Sequence, residues 1–179
     1  MNEQIAFLVD SDSLPAYCQA RVLVLGVGNL LFGDDGFGPG VIDHLIETYE
    51  IPDDIYVMDV GTGVRKLLFT LLLSENRVEE IVIVDAVDGG RGDGAVGILP
   101  LEALPETKVD DFSLHQVPTS NMLKELGDHR HNLRVTVIAC DVGVVPQVIQ
   151  PGLSPQTRLA AHTAGEQIAS KFGLRRLVR

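Results

Sequence analysis

The stretch that most constrains this chain is Arg21-Val-Leu-Val-Leu-Gly26-Val-Gly28-Asn29-Leu-Leu-Phe-Gly33-Asp34-Asp35-Gly36-Phe-Gly38. A short aliphatic run predicts a buried strand. It empties into a glycine-rich turn that delivers two adjacent carboxylates to the start of a helix. Such a unit belongs to an open α/β sheet, which binds its ligands at the carboxyl ends of its strands. A phosphate-binding turn would present bare backbone N–H groups there. This turn presents negative charge, which suits hard or borderline metal ions and protons and not anions.

The rest of the chain continues the alternation. Strands are predicted over 21–28, 55–59, 80–86, 95–99 and 133–141, and helices over 36–50, 63–75, 119–127 and 154–172. Val41, Leu45, Ile46 and Tyr49 mark the apolar stripe of the first helix. Leu159, Ala160, Thr163, Ala164 and Ile168 mark that of the last, which Ser154-Pro155 starts. Strands separated by helices predict a single three-layer α/β/α domain around a twisted, mainly parallel sheet of about five strands. The length of 179 residues fits one domain. Residues 1–20 are expected to be an N-terminal extension, in which Phe7-Leu-Val9 can dock as an edge strand, and residues 21–179 the domain itself. Arg175–Arg179 is expected to be a basic appendage, and 100–118 a long irregular connection of the kind that carries function.

Composition excludes several classes. A formal charge of −11 disfavours nucleic acid and anionic membranes as partners. No apolar run reaches the roughly 18 residues that span a bilayer. Residues 1–20 contain acids and lack the basic-then-apolar pattern of a signal peptide. Cys18 and Cys140 are far apart and form no Cys-x-x-Cys, so neither a disulfide scaffold nor a structural zinc site is expected. A cytoplasmic protein is the simple expectation. Cys140, inside a strand, is expected to be a small buried apolar residue.

Candidate chemistry gathers at strand ends. Asp85 terminates Ile81-Val-Ile-Val84-Asp85, Asp59 ends the second strand, and His115 lies in the long connection. In a parallel sheet Asp59, Asp85 and the Asp34/Asp35 pair reach one edge. Two carboxylates and an imidazole are a sensible set of ligands for a divalent transition metal with positions left open. Plainer roles stand beside this one. Asp34 is as well suited to capping the following helix, and Asp59 and Asp85 to forming turns. His44, His129, His131 and His162 are expected to be surface residues.

Gly26-Val-Gly28-Asn29-Leu-Leu-Phe-Gly-Asp34-Asp35-Gly36-Phe-Gly38 resembles the opening signature of the nickel-iron hydrogenase maturation endopeptidases. Asp59-Val-Gly61-Thr62-Gly63 resembles their second motif, Ile83-Val84-Asp85-Ala86 the third and Ser113-Leu-His115-Gln116 the fourth. Gly143-Val-Val-Pro146 and Leu153-Ser154-Pro155 are also similar, so the resemblance runs in order from about residue 21 to 172. Two positions depart from the family pattern: Asp35 stands where Glu is frequent, and Val60 where the second motif has its second glycine.

The resemblance implies an endopeptidase, expected to be a monomer, that clips a C-terminal peptide from a nickel-loaded hydrogenase large-subunit precursor. It implies that Asp35, Asp85 and His115 bind the metal and that Asp59 belongs to the catalytic set. Nickel is expected to arrive with the substrate, and no tightly bound organic cofactor is expected. The chain offers no Ser-His-Asp arrangement, no Cys nucleophile and no His-Glu-x-x-His helix. Asp59 and Asp34 both remain open as general base. Two rival classes are a non-catalytic chaperone for the same precursor and a dinucleotide-binding domain. The dinucleotide reading suffers from Gly-x-Gly-x-x-x-x-Gly spacing and from carboxylates where pyrophosphate would sit.

Overall fold

Aliphatic side chains on both faces explain why β1 (Val22–Val27) is buried along its whole length. The structure, a computed structural model, describes residues 14–99, 123, 126 and 132–178. Its main sheet has five strands in the order β3-β1-β4-β6-β5. These are β3 (Ile55–Gly61), β4 (Glu80–Val87), β5 (Val96–Leu99) and β6 (Arg134–Asp141) around β1. Four strands are parallel and edge strand β5 is antiparallel to β6. The mainly parallel sheet is as expected.

Two cores cover the two faces. On one, Val22, Val24, Val82 and Val84 of the sheet meet α1 (Phe37–Thr48) and α3 (Pro155–Phe172). On the other, Leu23, Leu25, Ile81 and Ile83 meet α2 (Val64–Leu73) together with Leu123 and Leu126. The three-layer architecture follows. Cys18 and Ala20 are buried in the second core, below a short turn over Ala16–Cys18. Cys140 is fully buried, as expected.

Helix α1 approaches the sheet closely because both surfaces carry glycine. A Cβ at Gly38 would stand 2.3 Å from the Val27 carbonyl oxygen and 2.5 Å from that of Val84. The close packing seats the turn before α1 directly over the ends of β1 and β4.

Several expectations need correction. The first helix ends at Thr48, because Tyr49 turns extended and starts β2 (Tyr49–Glu50). Its buried stripe runs Phe37, Val41, Ile42 and Leu45, whereas Ile46 is exposed. In α3 the buried residues are Thr157, Ala160, Ala161, Ala164, Gly165, Ile168 and Ala169, while Leu159 and Thr163 face out. Small residues allow α3 to pack against α1, so the apolar count misled about the face. The basic tail is not a free appendage, since Arg175–Arg176 forms β7, antiparallel to β2. Arg175 pairs with Glu50 at 3.1 Å and Arg176 with Glu166 at 2.9 Å. His44 is partly buried: its ring stacks on that of exposed His162 with centroids 4.4 Å apart. The expected helix over 119–127 lies outside the described residues except for Leu123 and Leu126, both helical. Phe7-Leu-Val9, the connection 100–118, His129 and His131 also lie outside them. No described helix is long and apolar enough to cross a membrane.

Candidate active site

Strand order selects the crevice. β1 lies between β3 and β4, and the chain leaves β1 on the face covered by α1. The connection after β4 places Leu123 and Leu126 on the opposite face. Adjacent strands whose connections leave on opposite faces open a ligand crevice at their carboxyl ends. The turn after β1 brings Asp35 to this crevice, and Asp85 stands near the carboxyl end of β4, two residues before Val87.

The Asp pair diverges. The Asp35 carboxylate accepts the Asn29 N–H at 2.7 Å, which ties it into the turn beside β1. Asp34 accepts the Ser154 N–H at 2.6 Å. Asp34 is therefore not the cap of α1, whose start at Gly36 has no side-chain cap bond. It binds the segment that leads into α3, where Ser154 in turn caps Thr157 at 3.2 Å.

Asp35 and Asp85 sense each other. Burial pushes the Asp85 carboxyl up to about 7, and the neighbouring Asp35 charge adds to the rise. A carboxyl raised in this way beside a second carboxyl is a place where a cation would be welcome.

Asp59 stands elsewhere. It follows the alternation of Ile55 and Val57, which face the core under α1 and α3, whereas Asp85 follows Ile81 and Ile83 toward the other core. Asp59 is exposed and accepts the Gly61 N–H at 2.8 Å, closing its own turn. Its charge, after burial, raises the carboxyl of Asp43 on α1. The pairing of β3 with β1 slips between Gly26 and Val27, and Val60 is the extra residue of that bulge. The structure thus brings Asp35 and Asp85 together and leaves Asp34 and Asp59 on the rim. His115 lies outside the described residues.

One acid at this edge was not foreseen. Asp141 ends β6 beside Val87 and is buried. Its carboxylate accepts the N–H groups of Gly89 and Gly92 at 3.1 Å each, Gly143 at 3.2 Å and Arg91 at 3.4 Å. These bonds hold its carboxyl below the usual range against the cost of burial. The signal was present, since an acid ending an apolar strand is what singled out Asp85.

A separate cleft of about 470 Å³ lies at the amino edge of the sheet, lined by Arg21, Glu80, Arg134 and Lys171 among others. Buried Glu80 is paired there with Arg134 at 3.2 Å and with Lys171. It is remote from the carboxyl edge, its one acid is held by two cations, and Arg21 pairs with Asp54 at 2.8 Å.

These features define an α/β protein with acidic side chains gathered at the topological switch point of its sheet. The chain belongs to the hydrogenase maturation protease family, whose sequence model matches residues 39–171. It is 37% identical over 153 residues to a Methanocaldococcus jannaschii protein of hydrogenase maturation protease type, covering 84% of this chain and 96% of that one. It is 31% identical over 154 residues to the hydrogenase 2 maturation protease of Escherichia coli, covering 83% and 88%. The solved hydrogenase maturating endopeptidase HybD from E. coli superposes with a TM-score of 0.66 at 26% identity, over 89% of this chain and 98% of that one. The fold and the family expected from the motifs are both borne out.

Proposed function

We propose that this protein removes the C-terminal extension of a nickel-loaded hydrogenase large-subunit precursor, holding the precursor's nickel through Asp35, Asp85 and His115. The observation that carries this reading is the meeting of Asp35 and Asp85 at the β1/β4 crevice, with Asp85 pushed up to about 7. A carboxyl raised by burial and by a neighbouring carboxylate gains from a divalent cation, and an imidazole completes a familiar ligand set. Nickel is here part of the substrate, so binding it tests that the precursor is loaded. Held by these residues, the ion would supply Lewis-acid chemistry at the scissile carbonyl or at a water.

Asp59 is the general base in this proposal. Each of the two candidates has one carboxylate oxygen committed, Asp34 to the Ser154 N–H and Asp59 to the Gly61 N–H, and Asp59 is chosen because it is the more exposed and keeps its second oxygen open to water. The −11 charge favours a precursor with a basic tail.

The test is intact-mass measurement of candidate precursors, with and without nickel, after incubation with the protein. Nickel-dependent loss of a C-terminal peptide, abolished in a folded His115→Ala variant, is the expected result. A stable complex with the loaded form and no mass loss would establish a chaperone instead. Wild-type cleavage by His115→Ala would remove His115 from the site.

A further inference from the structure

Next to the carboxylates the chain exposes large aliphatic side chains on two segments that are locked together. Leu30 and Leu31 are 45% and 48% exposed, and Val148 and Ile149 are 68% and 70% exposed. The segments meet through a parallel bridge between Phe32 and Gln150. The Gln150 N–H donates to the Leu31 carbonyl, and the Gly33 N–H donates to the Gln150 carbonyl, each at 2.8 Å. That register sets Leu31 beside Ile149. Such exposure costs solvation, and three further features hold it in place.

First, Asn29 serves both functions at once. Its N–H binds the Asp35 carboxylate at 2.7 Å while its side-chain oxygen accepts the Leu31 N–H at 3.0 Å. Second, the packing needs glycine. A Cβ at Gly36 would stand 3.2 Å from Leu30 Cδ2 and 3.4 Å from Leu153 Cδ2, and one at Gly33 would stand 3.3 Å from Pro146 Cγ. Third, Asp34 fastens the second segment from below through Ser154. The aliphatic rim and the carboxylates are therefore one rigid unit.

We propose that Leu30, Leu31, Val148 and Ile149 form the docking surface for an aliphatic segment of the hydrogenase large-subunit precursor beside its metal centre. This rests on the function proposed above. The occupant follows from continuity: a metal that reaches Asp35 inside a protein brings that protein across the turn that carries Leu30 and Leu31. Residues 28–36 and 142–153 contain no Lys or Arg, and their only charges are Asp34 and Asp35. Affinity at this rim comes from apolar contact, with Asp35 reserved for the metal and Asp34 held by the Ser154 N–H.

The test uses Leu31→Asp and Ile149→Asp, leaving Leu30 in place because it packs over Gly36. Leu73→Asp, at an exposed position on α2, is the control. The nickel-loaded precursor is the probe. Its Kd is measured by calorimetry, and KM and kcat by intact mass, on variants whose circular dichroism matches wild type. Each rim variant is expected to weaken Kd and raise KM by roughly tenfold or more, exceeding any loss in kcat. The control is expected to stay within about twofold, as exposed sites usually do. Wild-type cleavage with unchanged Kd and KM in both rim variants overturns the docking surface and leaves the proposed function standing. Binding without cleavage removes the peptidase, and the Kd ratio still decides the surface. No binding of the loaded precursor by wild type overturns both. A wild-type dimer that Ile149→Asp dissociates, with precursor affinity intact, assigns the rim to a second copy and overturns the proposal.

Discussion

Asp85 keeps its proton to about pH 7 because it is buried and because Asp35 stands beside it. This arrangement opposes folding at neutral pH. The unfolded carboxyl ionises near its ordinary value of 3.8 and the folded one only near 7. Between those values the folded state binds more protons than the unfolded one, so stability falls as pH rises through the window and then levels. Asp85→Asn removes the effect. It is expected to stabilise at pH 7.5 by on the order of 4 kcal/mol, at about 1.4 kcal/mol per pKa unit, and to give no gain at pH 3.5. Precursor processing is expected to be lost. Urea unfolding at the two pH values measures the first part; equal stability at pH 7.5 would refute it.

Asp141 organises the loop that follows the Asp85 strand. Gly89, Arg91, Gly92 and Gly143 all donate backbone N–H groups to its carboxylate. Asp141→Ala leaves these donors without their acceptor. Their amide exchange is expected to accelerate roughly tenfold or more, while amides of β1 keep their protection. Because the Asp141 carboxyl is held below the usual range, its stabilisation is present above pH 4 and lost as pH falls through the folded value. Exchange mass spectrometry at pH 7 checks the prediction, and unchanged loop exchange would dismiss the cradle.

The legibility of this site followed the range of the forces involved. Strand β1, its turn and Asp35 could be read locally, since aliphatic runs, glycines and caps act over a few residues. Asp85 was readable because an acid ending an apolar strand is a local anomaly. The partner of Asp34 was not, because Ser154 lies 120 residues away. The face of Asp59 was also hidden, since it depends on strand alternation and on the bulge at Val60. His44 looked like a surface residue until α3 folded over it, and that helix packs through alanine and glycine and not through large apolar side chains. Position 115 lies outside the described residues, so its placement rests on the motif alone.

The seat of α1 on the sheet is expected to be intolerant of a single methyl group. A Cβ at Gly38 meets backbone carbonyls of β1 and β4 at 2.3 and 2.5 Å, and backbone cannot step aside as a flexible side chain does. Gly38→Ala is expected to cost roughly 3 kcal/mol by overpacking and to lower processing, because the Asp35 turn rides on this helix. Gly97→Ala, where a Cβ meets none of the described residues within 4 Å, serves as the control. Thermal unfolding of the two variants makes the comparison, and equal melting temperatures would show that α1 is not held at this distance.

The His44–His162 stack gives the opposite pH response to Asp85. The His44 Nε2 atom is buried and has no hydrogen-bond partner among the described residues, and its Nδ1 lies 3.4 Å from the Thr48 hydroxyl. Burial pushes the imidazole below its ordinary value of 6.5; His162 and Arg176 add to the fall, and Glu166 and Glu47 oppose it. The unfolded chain therefore takes up this proton first as pH falls. The contribution of His44 is fully present above pH 6.5 and is lost progressively below it. Between pH 7.5 and pH 5.5 the wild-type melting temperature is expected to fall relative to that of His44→Gln, which cannot take up the proton. Asp85 is common to both proteins, so its own opposite trend cancels in the difference. A difference that stays constant across that range would mean that His44 titrates as freely in the folded chain as in the unfolded one.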